Sequence, residues 1–284
     1  MEVFSIAVLL FSFLLLLSLG TPVAWSIIIS SLFTLLVSVP FLPALTTISQ
    51  RMATGIDSFA LLAIPFFILS GELMNKGGVA HRLVACAKAL VGFLPGGLAL
   101  INVISAMLMG SVAGSAMASA SAMGSILGPE MEKEGYSKGF GVAINITSAT
   151  TGLVIPPSNI LIVYSLASGG ASIAALFLAG YIPGILTGLL LMAVAMVWAK
   201  KKNFKTGKRE PFKTESGSFV RAFPSLMLLF LVIGGIASGV FKDTEASAIA
   251  VIYTLVLGFV YKDITFKTLP TILLKSSTTT VIVM

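Results

Sequence analysis

Two stretches decide how this chain folds: GSVAGSAMASAS at residues 110–121 and TGLVIPPSN at residues 151–159. Both interrupt apolar sequence. The first is rich in glycine and serine, which lower helix propensity. In the second, Pro156 and Pro157 have no backbone N–H, and Pro157 also disfavours helical geometry in the residue before it. We therefore predict that helices are interrupted in both stretches.

The composition around these stretches is that of a membrane protein. Of the 284 residues, 57% are hydrophobic and 10% are charged, and the mean hydropathy is +1.04. A soluble domain carries about 25% charged residues. Several apolar runs approach the roughly 20 residues that a helix needs to cross a bilayer. The predicted fold class is an all-α membrane protein with several spans.

Broken helices inside a membrane imply a binding site. Irregular backbone survives there only where protein or a water-filled cavity surrounds it. The carbonyl groups at residues 152–155 lose their helical partners, and hard oxygen ligands of this kind suit an alkali cation. Helices that restart after Ser115 or at Ser158 present N–H groups to an anion. The alternative is that the small residues only allow close helix packing and the prolines only kink a span.

The apolar pattern divides the rest of the chain into spans and interfacial segments. The amphipathic segments are too short or too mixed to cross a bilayer. The predicted elements are two spans within residues 1–39, an interfacial helix at 44–57, a span at 58–75, an amphipathic helix at 79–93, a charged turn at 129–139, an interfacial helix at 171–180, spans at 181–199, 222–240 and 246–261, and a further segment at 264–284 that begins like residues 44–75.

The positive charge is concentrated in one loop. Eight of the eighteen Lys and Arg residues lie between Lys200 and Arg221. A short basic loop between apolar runs is expected on the cytoplasmic side of the membrane. We predict a solvated cytoplasmic loop at residues 200–221 rather than a nucleic-acid-binding segment.

The sequence is poor in residues for catalysis or for transition metals. It has one histidine, His81, and one cysteine, Cys86, so it offers neither a disulfide framework nor a Cys/His metal pattern. An intramembrane serine hydrolase built on Gly114-Ser115 would need a base, and His81 lies on an interfacial stretch well before that serine. Glu72 lies near Lys76, which favours an ion pair or snorkelling over proton coupling. We predict no enzyme, no cofactor and no metal other than an alkali ion.

Several motifs, in this order along the chain, resemble the DctM-like large membrane subunit of TRAP transporters, the tripartite ATP-independent periplasmic systems. They are IPFFILSGELMNKGG at 64–78, GSVAGSAMASASAMGSI at 110–126, GLVIPPSN at 152–159, SIAALFLAGYIPG at 172–184 and FKDTEASAIAVIY at 241–253. The resemblance implies a fold of the ion-transporter superfamily, with inverted repeats, broken helices and re-entrant hairpins. It also implies that the second repeat is incomplete, because the family's large subunit continues well past residue 284.

The resemblance further implies a division of the chain. The implied parts are scaffold helices and an interfacial helix at 1–57, a first transport-domain half at 58–180 with a re-entrant hairpin at about 110–130 and an unwound helix at 152–159, scaffold spans at 181–261 around the basic loop, and the start of a second transport-domain half at 262–284. A purely structural membrane subunit is the alternative for this chain.

The resemblance implies import of an organic acid, such as a C4-dicarboxylate or sialic acid, driven by a sodium gradient and an elevator-like movement. The implied partners are a small four-helix membrane subunit and a periplasmic substrate-binding protein, and the implied location is the bacterial inner membrane. Two positions depart from the pattern of many relatives: Ser119, where an acidic residue is common, and Asn159, where isoleucine is common. The implied sodium-binding residues are Ser111, Gly114, Ser115, Gly152, Ile155 and Pro156. The implied substrate-binding residues are Ser119, Pro157, Ser158 and Asn159.

Overall fold

The computed structural model describes residues 2–57, 59–202, 204 and 212–283, and every regular element among them is a helix. A 3₁₀ turn at Phe59–Leu62 leads directly into α4. The helices are α1 (Glu2–Ser18), α2 (Val23–Leu36), α3 (Phe41–Ile56), α4 (Ala63–Lys76), α5 (Val79–Val91), α6 (Gly97–Ala113), α7 (Ala116–Lys133), α8 (Lys138–Val154), α9 (Asn159–Ala167), α10 (Ile173–Lys201), α11 (Phe212–Ala237), α12 (Asp243–Val260) and α13 (Leu269–Val283).

The first of two compact units comprises residues 1–58. In it α1 packs against α2, and α2 packs against α3. Large apolar side chains such as Phe11 and Trp25 are exposed, as expected for helices that face lipid. Pro22 and Pro40 precede α2 and α3, because proline is pre-organised for a helix start and its missing N–H costs nothing there.

The second unit comprises residues 59–284 and contains the main core. Helix α6 lies at its centre and packs against α4, α5, α7, α8 and α10. Fully buried apolar side chains fill the space between these helices, among them Leu100, Met109, Met123, Leu127 and Ile162. The two broken stretches therefore lie within the main core of this unit.

The predicted fold class is confirmed, since the described residues form an all-α protein with several apolar helices and a broken pair. Three described segments are long and apolar enough to cross a membrane: Phe59–Lys76, Ile173–Lys201 and Asp243–Val260. Helices α8 and α9 together form a fourth candidate span, bent by 53° at a short break. The chain is a multi-pass membrane protein.

Helix boundaries differ from the prediction at residues 129–139 and 171–180. The separate interfacial helix predicted at 171–180 is wrong, because α10 runs without interruption through residue 180 to Lys201. The charged turn predicted from Pro129 begins later, because α7 continues to Lys133 and only residues 134–137 separate it from α8. In both places a proline or glycine lies inside a helix whose packing outweighs its low propensity.

The predicted basic loop at 200–221 falls partly outside the described residues, at 203 and 205–211. Where the chain is described again, α11 already begins at Phe212. Within this loop, Phe204 is described, and its ring lies against that of Tyr136, with ring centroids 4.1 Å apart. The turn between α7 and α8 thus lies at the same end of the unit as Lys200 and Lys201. We call this the basic end; the positive-inside rule predicts that it is cytoplasmic.

Candidate functional site

The first break separates α6 from α7 and is only two residues long. Gly114 adopts a left-handed conformation with φ +59°, which glycine reaches without steric cost. Its N–H donates to the carbonyl oxygen of Gly110 at 2.8 Å. Ser115 is extended, and its hydroxyl accepts from the N–H of Ala118 at 3.3 Å, which caps α7. The irregular backbone predicted over 110–121 is thereby narrowed to Gly114 and Ser115.

The second break separates α8 from α9. Helix α8 ends at Val154, and α9 starts at Asn159. In an uninterrupted helix the carbonyls of Gly152 and Leu153 would accept from the N–H groups of residues 156 and 157. Both of these residues are prolines, joined by a cis peptide bond, so neither can donate. Two carbonyl oxygens at the end of α8 are therefore left without helical partners.

The two breaks meet in space. The side-chain Nδ2 of Asn159, at the start of α9, donates to the carbonyl oxygen of Gly114 at 3.4 Å. One turn away, the backbones of α6 and α8 touch at Gly110 and Gly152, where a Cβ on either glycine would lie 2.5 Å from the Cα of the other. We call this meeting point of the two breaks the junction.

Two polar atoms at the junction are buried without a hydrogen-bond partner among the described residues. They are the hydroxyl oxygen of Ser158, whose side chain is 0% exposed, and Oδ1 of Asn159. Burying such atoms unsatisfied is costly. The junction also collects the carboxyl-terminal ends of α6 and α8 and the amino-terminal ends of α7 and α9. It can therefore offer oxygen atoms to a cation and N–H groups to an anion.

The predicted site residues do not all lie at the junction in the same way. Gly114 and Ser115 form the first break, and Ile155 and Pro156 begin the second. The Ser111 hydroxyl donates to the carbonyl of Leu108 in its own helix at 2.9 Å. Gly152 touches α6, and Asn159 donates a hydrogen bond across the junction. Pro157 and Ser158 are buried in the second break.

Ser119 lies apart from the other predicted substrate-binding residues. Its side chain is 0% exposed. Its hydroxyl donates to the carbonyl oxygen of Ala106 at 3.0 Å, so it links α7 to α6 inside the hairpin.

The close packing of α10 against the second break was not predicted from the sequence. A Cβ on Gly180 would lie 2.5 Å from the Val154 carbonyl, and one on Gly184 would lie 2.5 Å from Cγ1 of Ile155. Only glycine lets α10 approach this closely. The sequence does contain a pattern that indicates this contact. Gly180, Gly184 and Gly188 repeat at four-residue intervals, the small-residue spacing typical of closely packed membrane helices.

An ion pair lies beside the first break. Oε2 of Glu72 accepts from Nζ of Lys275 at 2.9 Å, with the Glu72 side chain 9% exposed and the Lys275 side chain 54% exposed. An ion pair was favoured for Glu72, but the partner is 203 residues away rather than the neighbouring Lys76. The residue before it, Gly71, touches the backbone of Ala113 at the end of α6. Glu72 thus connects α13 to the helix that supports the hairpin.

An all-α membrane protein whose broken helices meet at one junction has the construction of secondary transporters. The chain belongs to the family described as "Tripartite ATP-independent periplasmic transporter, DctM component", whose model matches residues 10–284. The resemblance seen in the motifs is confirmed.

Relatives support the same family. The chain is 52% identical over 99% of its length to YgiK of Salmonella typhimurium, of which it covers 65%. It is 38% identical over 96% of its length to the sialic acid TRAP transporter large permease protein SiaM of Vibrio cholerae, of which it covers 64%. It is 38% identical over 80% of its length to the C4-dicarboxylate TRAP transporter large permease protein DctM of Pseudomonas aeruginosa, of which it covers 53%. The chain thus spans less than two thirds of the length of each of these relatives. SiaM and DctM are named as transporter permeases, not as enzymes.

Proposed function

We propose that this chain is the large permease component of a secondary transporter that imports an organic acid with sodium. Two relatives carry the names of permeases for sialic acid and C4-dicarboxylates, which favours a carboxylate substrate. The observation that carries the proposal is the junction, where two helix breaks meet around the unpartnered polar atoms of Ser158 and Asn159.

Sodium suits the oxygen atoms that the junction provides. They are carbonyl oxygens at the ends of α6 and α8 and the hydroxyl of Ser115, all hard neutral ligands. No group of three or more His, Cys, Asp or Glu side chains that could hold another metal occurs in the described part of the chain. We assign the ion to the region of Gly114, Ser115 and Gly152, with Ile155 and Pro156 shaping the backbone.

The substrate carboxylate suits the start of α9. The first N–H groups of a helix have no intrahelical partners, and together with the helix dipole they favour an anion. The hydroxyl of Ser158 can donate to a carboxylate at the same place, and Nδ2 of Asn159 carries a second N–H besides the one that donates to Gly114. We therefore assign substrate contact to Ser158 and Asn159. Ser119, bonded to the carbonyl of Ala106, acts from inside the hairpin.

The transport cycle that we propose requires two partners in the bacterial inner membrane and periplasm. A periplasmic binding protein delivers the organic acid, and a small four-helix membrane subunit supports the permease. Sodium binding orders the broken backbone, and the unit that contains the junction carries ion and substrate across in an elevator-like movement. The alternative is a structural membrane subunit that assembles with these partners without transporting.

Reconstitution tests the proposal. The permease, its small membrane subunit and its binding protein are placed in liposomes, and uptake of labelled C4-dicarboxylate and sialic acid is measured with and without an inward sodium gradient. Uptake that follows the gradient supports the proposal. Equal uptake with potassium in place of sodium rejects sodium coupling. Assembly of the complex without uptake of any organic acid supports the structural alternative.

A further inference from the structure

A second polar site lies between α7 and α8, away from the junction. A cavity of about 350 Å³ opens beside the turn that connects these helices. This volume has room for several water molecules. Residues that line it include Asn102, Gly128, Tyr136, Lys138, Gly141 and Asn145.

The cavity is bordered by buried polar atoms without partners among the described residues. One of them is the hydroxyl of Tyr136, whose side chain is only 4% exposed. Oδ1 of Asn145 is another, while Nδ2 of the same side chain donates to the carbonyl of Ala120 at 2.7 Å. Burial raises the pKa of Tyr136 to about 12, with the nearby Glu134 adding to the effect. The tyrosine is therefore neutral at physiological pH, and both atoms call for water or another polar ligand.

Buried polar side chains of α8 lie between this cavity and the junction. The Ser148 hydroxyl donates to Oδ1 of Asn102 on α6 at 3.0 Å. One turn further along α8, the Thr151 hydroxyl donates to the carbonyl of Ser148 at 2.6 Å. Gly152 follows Thr151 directly. Seven residues separate Asn145 from Gly152, which is about 10 Å along a helix.

The cavity lies at the basic end of the unit. The ring of Tyr136 contacts Phe204, and Phe140 on α8 stacks on Trp198 near the end of α10, with ring centroids 5.8 Å apart. The exposed side chains of Glu132 and Lys138 lie at its rim and face each other at 3.7 Å. By the positive-inside rule this opening faces the cytoplasm.

We propose that this cavity is a water-filled cytoplasmic vestibule that receives the hydrated alkali cation when it leaves the junction. Its oxygen ligands, the Asn102 and Asn145 amides and the Tyr136 hydroxyl, are hard and neutral, so they hold a hydrated cation weakly enough to release it. The inference rests on the proposed sodium-coupled function and adds the route by which the ion departs.

Thiol accessibility tests whether the vestibule contains water. The one cysteine of the 284-residue sequence, Cys86, is buried and is replaced by serine. Gly141→Cys places a thiol in the cavity, where its Cβ would meet only Met131 among the described residues, at 3.9 Å. Gly139→Cys, two residues away in the same helix and outside the cavity lining, is the matched control. A charged, impermeant thiol reagent should label both from the cytoplasmic side of oriented vesicles. Labelling of Gly139→Cys alone, or of Gly141→Cys from the periplasmic side, overturns the proposal.

Transport by the labelled protein tests whether the vestibule serves ion release. Labelled Gly141→Cys should show several-fold slower sodium-driven net uptake, since net uptake requires the ion to leave. Exchange of internal for external substrate with saturating sodium on both sides should be unchanged, because no ion must depart. Labelled Gly139→Cys should match the unlabelled protein in both assays. Equal rates, or an equal loss in net uptake and exchange, overturn the inference. Sodium-independent uptake by the unlabelled protein rejects the proposed function instead.

Discussion

The two helix breaks reach the same place by different chemistry. The first break uses its own groups: Gly114 turns the chain with its N–H bonded to Gly110, and the Ser115 hydroxyl caps α7. The second break ends a helix with two residues that cannot donate, and its Ser158 hydroxyl has no partner among the described residues. The first is a tight turn that closes on itself, whereas the second leaves polar atoms available.

This difference separates a structural role from a substrate-binding role. In the first break, changes should alter the stability of the hairpin together with the sodium binding that we propose for Gly114 and Ser115. In the second, changes should mainly alter the affinity for ion or substrate. Each of the following variants tests that separation.

The largest effect is expected where the two breaks are packed together. A methyl group at Gly152 would lie 2.5 Å from Cα of Gly110. Because this Cα is a backbone atom that cannot rotate away, α8 must move. Overpacking costs about 1–3 kcal/mol and more when backbone shifts, so Gly152→Ala should lose about 3 kcal/mol. The loss of stability is measured by thermal unfolding in detergent, and its effect on function by sodium-dependent uptake.

Gly139→Ala is the control for this variant. A Cβ at this position of α8 meets no atom of the described residues within 4 Å, so the change should stabilise the helix by up to about 1 kcal/mol. If Gly152→Ala is equally well tolerated, α6 and α8 do not touch at this point, and the junction as described here is wrong.

The next effect concerns the ion. Pro156→Ala restores an N–H that can satisfy the carbonyl of Gly152, which removes a free oxygen from the second break. The sodium concentration for half-maximal uptake should rise by about tenfold, equivalent to about 1.4 kcal/mol. Pro183→Ala, an exposed proline inside α10, should leave it unchanged. An unaltered sodium dependence in Pro156→Ala would exclude the ion from the second break.

A smaller effect is expected from the first break. Alanine at Gly114 must adopt a left-handed conformation, at a cost of about 1 kcal/mol, and its Cβ would lie 3.1 Å from Nδ2 of Asn159. Gly135→Ala is matched, because Gly135 has φ +90° and no neighbour within 4 Å among the described residues. Both variants should lose similar stability, and only Gly114→Ala should also slow uptake. Equal uptake in the two would show that the Gly114–Asn159 contact has no role in transport.

The smallest effect separates two serines. Ser115→Ala removes a helix cap and a proposed sodium ligand, so it should lower the free energy of unfolding by about 0.5–1 kcal/mol and raise the sodium concentration for half-maximal uptake. Ser158→Ala removes a hydroxyl without a partner in the described chain; it should leave stability unchanged and raise the substrate concentration for half-maximal uptake several-fold. Unfolding midpoints and uptake curves for the pair give the answer. The reverse pattern would assign the substrate-binding role to the first break.

The sequence was informative about local structure and less so about contacts. The all-α class followed from hydropathy, and the need for irregular backbone at Pro156 and Pro157 followed from their missing N–H groups. The extent of the first break did not, because the prediction followed the glycine and serine content of the whole stretch. The glycines lie at 110 and 114, whereas alanine and methionine, which favour helix, dominate residues 116–121.

Contacts between distant residues were beyond a reading of one sequence. The bond from Asn159 to Gly114 spans 45 residues, and the ion pair from Lys275 to Glu72 spans 203. Neither spacing has a periodicity that predicts it. The glycines at 180, 184 and 188 have a spacing that predicts a close helix contact, but the spacing does not indicate which helix is the partner. The ion and substrate assignments at the junction remain predictions.

The ion pair between Glu72 and Lys275 has an electrical consequence. A single charge that crosses a membrane does work against the membrane potential, about 2.3 kcal/mol for each 100 mV. Because the carboxylate and the ammonium group are 2.9 Å apart, the two charges move together and the pair carries no net charge. In the proposed cycle this pair then adds nothing to the work done against the potential, and the voltage dependence of uptake reports the other charges that cross the membrane.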